Sequence, residues 1–368
     1  MTIYILAYAA MIFLAAYLKK HNINKKVFCW IVFIMWAAII GLRHPTMGVD
    51  LHYGASNGYW GMFSYIGNQS WENILNREFL NYERGYVIFN KILNYLSDDA
   101  QILLLIAAVL EIGVIVWLIY KYSKFPLNSM VVYIALPAFM IVFSGMRQAL
   151  AIAITIYSFR FIKEKKLIPF IIAVLLANQF HSSAILFLGA YPIYYVRTEK
   201  VIYKIASILV LPVVFVFREP LFNIMVRFLG ENDKVTATNA FMLFVFFVLI
   251  YVFCLLLEDK SNEEQIGCRN LFYMACICQA FSGVSNLAMR VGYYYMIYLV
   301  LLFPEIMIPQ KAKTQFDSEM ISFRQKEKDK NNFLLMYSTI LAFFTLWGIY
   351  SLSTSTWAET NPHSFFWQ

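Results

Sequence analysis

Long apolar runs alternate with short polar segments along this chain, and the pattern predicts a membrane protein. A helix needs about 20 apolar residues to cross a bilayer, within a range of about 17 to 25. Twelve runs approach that length. They lie near residues 2–18, 27–42, 100–120, 127–143, 148–162, 167–180, 182–196, 201–217, 238–257, 269–284, 290–308 and 333–350. Because no ten-residue segments alternate like strands, we expect an all-α polytopic transmembrane bundle of about 12 helices rather than a barrel.

The longest segment between predicted helices, residues 43–99, is more than a linker. In "ERGYVIFNKILNYLS", the apolar residues Tyr86, Phe89, Leu93 and Leu96 are spaced by three and four, which is typical of a helix with one apolar face. The nearby segments "WENILNREFL" and "YWGMFSYI" are also rich in large apolar side chains. We therefore predict amphipathic helices that lie on the outer surface of the membrane.

Two other segments of the sequence do not fit a simple series of transmembrane helices. The runs between residues 148 and 196 are short or end in polar residues, so two of them could form a re-entrant pair. Residues 309–332 mix positive and negative charges, which predicts a solvated cytoplasmic loop. The whole chain, residues 1–368, is otherwise expected to form a single integral-membrane domain.

Composition and charge support this interpretation and add an orientation. The 368 residues are 61% hydrophobic and 14% charged, more apolar surface than a soluble core can bury. Short cytoplasmic loops retain Lys and Arg. If the first loop, Lys19–Lys26, is cytoplasmic, alternation places 21 of the 30 basic residues inside and both termini outside. The first helix has no basic residue before it and is predicted to be retained rather than cleaved. The net charge of +8 is thus a topology signal, and no nucleic-acid partner is expected.

The basic residues left on the outer side are mostly arginine. They are Arg43, Arg77, Arg84, Lys91, Arg147, Arg218, Arg227, Lys234 and Arg290. Arginine's planar fork suits bidentate contact with phosphate or carboxylate. Arg43, Arg147 and Arg290 stand where a predicted helix meets the outer surface, and an arginine in hydrocarbon costs about 2.5 to 3.5 kcal/mol on insertion scales. Each could simply extend to the interface or cap its helix, but together they predict an anion site.

Acidic and imidazole groups fall on the same outer side. They include Asp50, Glu83, His44 and His181, and His181 lies in "LANQFHSSA", a very short predicted hairpin. Acids, imidazoles and arginines gathered at helix ends on one face are typical of a catalytic or binding site.

Glu111, in "VLEIGV", is the one acid predicted in the bilayer interior. It could couple protons in a transporter or form a hydrogen bond between helices, and we favour the hydrogen bond. Nothing in the sequence indicates a metal or cofactor. There is no nucleotide-binding loop and no zinc motif, and Cys276 and Cys278 point to different faces of one helix.

Several short motifs occur in an order that resembles a known family. They are "GLR" followed by "GVD" and a tyrosine, then "YERGY", "GMRQALA", "FHSSA", "MRVGYYY" and the C-terminal "NPHSFFW". Together they resemble the EpsG family of bacterial membrane proteins, which is akin to the Wzy-type polysaccharide polymerases. The resemblance covers almost the whole chain. One position departs from the family's pattern, because Leu51 follows Asp50 where threonine is common.

The resemblance implies a glycosyltransferase of the bacterial cytoplasmic (inner) membrane whose active site faces the periplasmic or extracellular side. The implied reaction transfers a growing glycan from undecaprenyl pyrophosphate to a lipid-linked repeat unit and releases undecaprenyl pyrophosphate, as in O-antigen, capsule or exopolysaccharide synthesis. The partners would be those lipid-linked glycans, membrane lipid and a chain-length regulator protein, with no cofactor.

The residues can be given roles in that reaction. Fixed arginines can neutralise a pyrophosphate leaving group, and an imidazole or carboxylate can accept the proton of the attacking hydroxyl. His181 ranks first as the base, because imidazole accepts protons near neutral pH, and Asp50 and Glu83 come next. Either carboxylate could instead hold an arginine, and for Glu83 a contact with Arg84 or Arg147 is at least as expected. The predicted contacts to pyrophosphate or sugar are Arg43, Arg147, Arg290, Gln148, His44 and Tyr53.

Two other functions stay open at this point. A lipid-linked glycan flippase or other transporter would carry charged residues through the depth of its bundle. An outer-face glycan ligase or acyltransferase would use the same residues as the polymerase, and a ligase discards the same lipid pyrophosphate.

Overall fold

The apolar runs fold as helices in the computed structural model, which describes residues 1–51, 58–76, 82–197, 200–229, 241–307, 323–356 and 358–368. Within these ranges no strand forms beyond isolated bridges, one of which is antiparallel and pairs Arg43 with Phe365. The chain forms two compact units: the first contains residues 1–188 and 343–368, and the second contains residues 189–342. The predicted all-α class is therefore confirmed for the described residues.

The first unit begins with two apolar helices and continues through short surface helices into a second group of long ones. Its helices are α1 (Thr2–Lys20), α2 (Lys25–Gly41), α3 (Tyr59–Gly67), α4 (Trp71–Asn76), α5 (Arg84–Asn94), α6 (Gln101–Tyr122), α7 (Pro126–Ala135), α8 (Pro137–Met140), α9 (Met146–Lys163) and α10 (Leu167–Asn178). The 3₁₀ helices Val49–Leu51 and Ser182–Gly189 complete it. The second of these replaces the start of the transmembrane helix predicted at 182–196.

The second unit is also helical. Its helices are α11 (Ala190–Tyr195), α12 (Val201–Val216), α13 (Arg218–Leu229), α14 (Phe241–Leu257), α15 (Glu263–Ala280), α16 (Asn286–Met296) and α17 (Leu299–Ile306). The last helix, α18 (Phe323–Thr354), begins in the second unit and ends in the first.

Fewer helices are long enough to cross a membrane than the sequence predicts. Three described helices have the required length and apolar character: α1, α6 and residues Leu334–Thr354 of α18. The number rises to five if the bent pairs α12 with α13 and α16 with α17 each form one span. Because α7, α10 and α14 are apolar but shorter, the predicted number of 12 is not confirmed, although the membrane character is.

Basic side chains gather at one end of the first unit, here called the lysine-rich end. It contains Lys19, Lys20, Lys25, Lys26, Lys121, Lys124, Arg160, Lys163, Lys165 and Lys166. The ammonium group of Lys25 donates to the carbonyl oxygen of Ser123 at 3.1 Å, which joins the start of α2 to the residue after α6. The rings of Tyr122 and Phe159 meet at 5.5 Å and join α6 to α9. Residues predicted to share the cytoplasmic side therefore share one end of this unit.

The opposite end, here called the distal end, is formed by residues 42–51, 82–101, 144–147, 178–183 and 358–368. The C-terminal segment runs beside the chain that follows α2. The amide of His44 donates to the carbonyl of Ser364 at 2.9 Å, and the amide of Phe366 donates to the carbonyl of Leu42 at 3.0 Å. His363 also contacts the carbonyl of Ile39 through Nε2 at 3.0 Å.

The helices of the 43–99 segment pack against other helices of the first unit. Tyr86 and Leu93 of α5 are almost fully buried, in a cluster with Phe63 of α3, Leu104 of α6 and Leu150 of α9. The apolar face predicted from the spacing is thus real, but it covers α6 and α9. Leu96 lies beyond the end of α5 and is exposed.

A buried ion cluster stabilises the second unit. Glu258 contacts the ammonium group of Lys204 at 2.6 Å and the guanidinium of Arg269 at 2.8 Å. Arg269 is one of the 21 basic residues that the sequence places on the inner side, but it lies within α15 and is 2% exposed. Since a buried charge needs a partner, Arg269 stabilises the packing of α15 and carries no orientation signal.

The orientation of the first unit can be tested by cysteine labelling in intact cells. Asn68 and Lys20 are both exposed, Asn68 after α3 and Lys20 at the lysine-rich end. If the lysine-rich end is cytoplasmic, an impermeant thiol reagent should label Asn68→Cys and leave Lys20→Cys unlabelled until the cells are opened. The unmodified protein is the blank, because its five cysteines are buried or half-buried. Labelling of Lys20→Cys in intact cells would reverse the orientation.

Candidate functional site

Glu83 precedes α5, and its carboxylate holds three parts of the distal end together. Oε2 accepts a hydrogen bond from Nη1 of Arg147 in α9 at 2.6 Å. Oε1 accepts the backbone N–H of Ser182, in the turn after α10, at 2.9 Å. The side chains of Arg147 and Glu83 are 24% and 18% exposed, so most of this ion pair is removed from water. Charge-assisted bonds of this kind are about twice as strong as neutral ones.

Gly85 allows α5 to approach the turn after α10 closely. The amide of Tyr86 donates to the carbonyl of Gln179 at 3.1 Å. A Cβ on Gly85 would lie 2.6 Å from the Cβ of Gln179 and 2.7 Å from its carbonyl oxygen. Only glycine fits this contact, which accounts for the sequence "ERG" and sets Glu83 against the Ser182 turn.

Two tyrosines enclose the arginine. Nε of Arg147 donates weakly to the hydroxyl of Tyr59 at 3.4 Å, and its guanidinium carbon lies 4.6 Å from the ring centre of Tyr82. Such a stack stabilises the cation and fixes the plane of its fork. Burial raises the pKa of Tyr59 to about 12, although Arg147 acts in the opposite direction. Tyr59 therefore keeps its proton at neutral pH and remains a hydrogen-bond donor.

Asp50 is placed by the "GVD" motif. Gly48 has φ of +109°, and a Cβ there would collide with the carbonyl oxygen of Phe143. The amide of Asp50 donates to Oγ of Ser144 at 3.1 Å. The carboxylate is half-buried and has no hydrogen-bond or ion-pair partner among the described residues. Its charge reaches Tyr59 and Tyr82, whose pKa values it helps to raise, so Asp50 shares these two tyrosine neighbours with Arg147 without pairing with it.

His181 belongs to the turn that Glu83 holds. Its Nδ1 lies 2.7 Å from Oγ of Ser183 and 3.3 Å from the backbone nitrogen of the same residue. An amide N–H can only donate, so Nδ1 is the acceptor and a neutral ring carries its proton on Nε2. In this tautomer Nε2 offers a donor rather than a lone pair. This tautomer does not match the role of general base, for which the sequence ranks His181 first.

Arg43 lies inside the protein instead of facing a ligand. It is 1% exposed, and its nitrogens donate to the carbonyl oxygens of Ile40, Met47, Val142 and Phe143 at 2.7 to 3.4 Å. Burial lowers the pKa of Arg43 to about 10, against the opposing field of Glu111, so it stays charged at neutral pH. Its fork is already committed to backbone carbonyls, which favours a structural role over the predicted pyrophosphate contact.

The other residues predicted to contact pyrophosphate or sugar lie in different parts of the structure. Gln148 is 2% exposed within α9, so its amide faces protein. His44 is half-buried and contacts Oγ1 of Thr46 through Nδ1 at 2.8 Å. Arg290 is half-buried in α16, in the second unit. Tyr53 lies outside the described residues.

Sequence reasoning missed several residues that build this site. Tyr59, Tyr82 and Ser144 each contact a candidate residue, although Tyr59 stands in the quoted "YWGMFSYI" and Tyr82 in the quoted "YERGY". Their partners are distant in sequence, so spacing gave no signal beyond the motifs themselves. Among the described residues no three His, Cys, Asp or Glu side chains converge as a metal site would require.

With this geometry established, comparison with known proteins gives the family. A family model described as the EpsG family matches residues 26–363. The chain belongs to the EpsG family. This family is the group of Wzy-like polysaccharide polymerases, so the resemblance inferred from the motifs is confirmed. No curated protein and no solved structure matches the chain.

Replacing Gly85 by alanine tests whether the contact of α5 with the Ser182 turn stabilises this EpsG protein. Overpacking of a close contact typically costs about 1 to 3 kcal/mol, so Gly85→Ala should lower the melting temperature of the purified protein. Gly113→Ala is the matched control, because a Cβ there would meet only Phe33, at 3.4 Å and beyond. Equal melting temperatures for the two variants would show that the Gly85 contact is not required.

Proposed function

We propose that this EpsG protein joins oligosaccharide repeat units linked to undecaprenyl pyrophosphate, on the outer face of the bacterial cytoplasmic membrane. Membership of the family implies a glycosyltransferase-like polysaccharide polymerase in a membrane. The lipid-linked donor, the outer face and the residue roles belong to the proposal. O-antigen, capsule and exopolysaccharide are all consistent with it.

One observation carries the proposal. Arg147 is held in a fixed orientation by Glu83 and Tyr82. The Asp50 carboxylate, which has no hydrogen-bond or ion-pair partner among the described residues, lies within electrostatic reach of Tyr59 and Tyr82. A preoriented arginine and an available carboxylate around the same two tyrosines supply the two functions that glycosyl transfer from a pyrophosphate requires.

The proposed chemistry needs no cofactor. A hydroxyl oxygen of the acceptor sugar attacks the anomeric carbon of the donor glycan and forms the new glycosidic bond. The bond between that carbon and the pyrophosphate oxygen breaks, and undecaprenyl pyrophosphate leaves with the electron pair. Arg147 stabilises the negative charge that develops on the leaving group. Asp50 accepts the proton of the attacking hydroxyl.

Glu83 and His181 have supporting roles in this scheme. Both oxygens of Glu83 already accept hydrogen bonds, so it orients Arg147 and does not act as a base. His181 offers its Nε2–H to a sugar or phosphate oxygen. Arg84, the other partner considered for Glu83, donates instead to the carbonyl of Leu75 at 2.8 Å.

Deleting the gene and complementing it with variants tests the function. The deletion strain should carry surface glycans of one repeat unit on a gel, and the intact gene should restore long chains. Arg147→Lys should fail to restore them, because lysine offers one point charge where the fork contacts Glu83, Tyr59 and a ligand. Complete loss of glycan from the deletion strain would instead favour a flippase.

Arg84→Lys is the matched control for this experiment. It makes the same substitution close to the site, at an arginine whose described bond is to a backbone carbonyl, and it should support long chains. Near-normal chains from Arg147→Lys, at equal protein abundance in the membrane, would reduce Arg147 to a residue that only packs.

Asp50→Asn and His181→Gln separate the proton acceptor from the donor. Losing a general base typically lowers the rate by about 10² to 10⁴, so Asp50→Asn should leave glycans near one repeat unit. His181→Gln should retain part of the activity, because the glutamine amide can replace the Nε2–H donor. Asp98→Asn, at an exposed aspartate of the distal end, is the control. Long chains from Asp50→Asn with none from His181→Gln would return the base to His181.

A further inference from the structure

An apolar slot opens between α2 and α6 near the lysine-rich end. Its volume is about 310 Å³. Its lining consists of Lys26, Cys29, Trp30, Phe33, Gly113, Val116, Trp117 and Tyr120. Seven of these eight residues carry no charge, so the slot suits a hydrocarbon chain. It is called the α2–α6 slot below.

The two helices create the slot by changing how closely they pack. Near the distal end a Cβ on Gly41 would lie 3.1 Å from the Cα of Leu105, so the backbones are in close contact there. Toward the lysine-rich end, Gly113 faces only the edge of Phe33, 3.4 Å from where a Cβ would stand. The missing side chain leaves space that large aromatic residues surround but do not fill.

Positive charge surrounds the mouth of the slot. Lys26 is part of its lining. The ammonium of Lys25 lies 5.4 Å from the ring centre of Tyr120, and that of Lys121 lies 5.4 Å from the ring centre of Trp117. Among the described residues of this end the one acid is Glu164, which already contacts Lys166 at 2.8 Å. The local field therefore favours an anionic group.

We propose that the α2–α6 slot binds an anionic diacyl phospholipid of the surrounding bilayer. One acyl chain occupies the slot, and the phosphate lies among Lys25, Lys26 and Lys121. Basic pockets between transmembrane helices are suited to anionic lipid headgroups. The exclusion of undecaprenyl pyrophosphate as the occupant rests on the proposed function, in which an arginine of the distal end contacts its pyrophosphate. The binding of an anionic phospholipid in the slot does not depend on the proposed reaction.

Lipid binding to the full-length protein in detergent tests the proposal. Native mass spectrometry with phosphatidylglycerol should show tighter binding than with phosphatidylethanolamine. Lys26→Gln should weaken phosphatidylglycerol binding about fivefold, which corresponds to about 1 kcal/mol for one lysine near an anionic headgroup. Gly113→Leu should remove most of the binding by filling the slot, and Gly113→Ala should weaken it less. A photoactivatable acyl chain should crosslink to α2 and α6.

Two matched controls locate the effect. Lys20→Gln removes a charge at the same end, and Leu110→Phe enlarges an exposed residue of α6 that does not line the slot. Both should bind phosphatidylglycerol normally. The proposal would be overturned by equal binding of the two phospholipids, by unchanged binding in folded Lys26→Gln and Gly113→Ala, or by displacement of the crosslinking lipid by an equimolar polyprenyl pyrophosphate.

Discussion

The carboxylate of Glu83 is the constraint on which the distal end depends. It accepts from Arg147 and from the amide of Ser182, so one side chain fixes α5, α9 and the turn after α10 relative to one another. Hydrogen bonds to charged groups contribute about 1.5 to 3 kcal/mol each. Removing the carboxylate would also leave a mostly buried guanidinium without its counter-ion, which is more costly than losing a single contact.

The same ion pair limits how Arg147 can act. A guanidinium already neutralised by a carboxylate attracts distant anions weakly, so Arg147 cannot serve mainly as a long-range attractor of substrate. What the pairing provides is orientation, because Glu83 and the ring of Tyr82 hold the fork in one plane. An arginine fixed in advance stabilises charge that appears during the reaction without first reorganising. This favours a role at the leaving group over one in initial capture.

How much of this could be read from the sequence depends on whether the deciding contacts are local. Apolar runs and three-four spacing are local, so the helical class and the apolar face of α5 were predicted from the sequence. Two of the four carbonyls that Arg43 contacts, and the hydroxyl that accepts from the Asp50 amide, lie about 100 positions away, in the segment from Val142 to Ser144. Spacing carries no information about such contacts, so Arg43 was predicted to bind a ligand although backbone carbonyls occupy it.

The buried carboxylate of Glu111 bears on whether the protein could relay protons across the membrane. It is 4% exposed in α6, and neither carboxylate oxygen has a hydrogen-bond partner among the described residues, so the hydrogen bond expected between helices is not formed there. Arg43, buried at the end of α2, is close enough to interact with it electrostatically. A proton-relaying carrier needs a series of such groups through the bilayer. Within α6 Glu111 is the one acid, and a single buried carboxylate is not such a series.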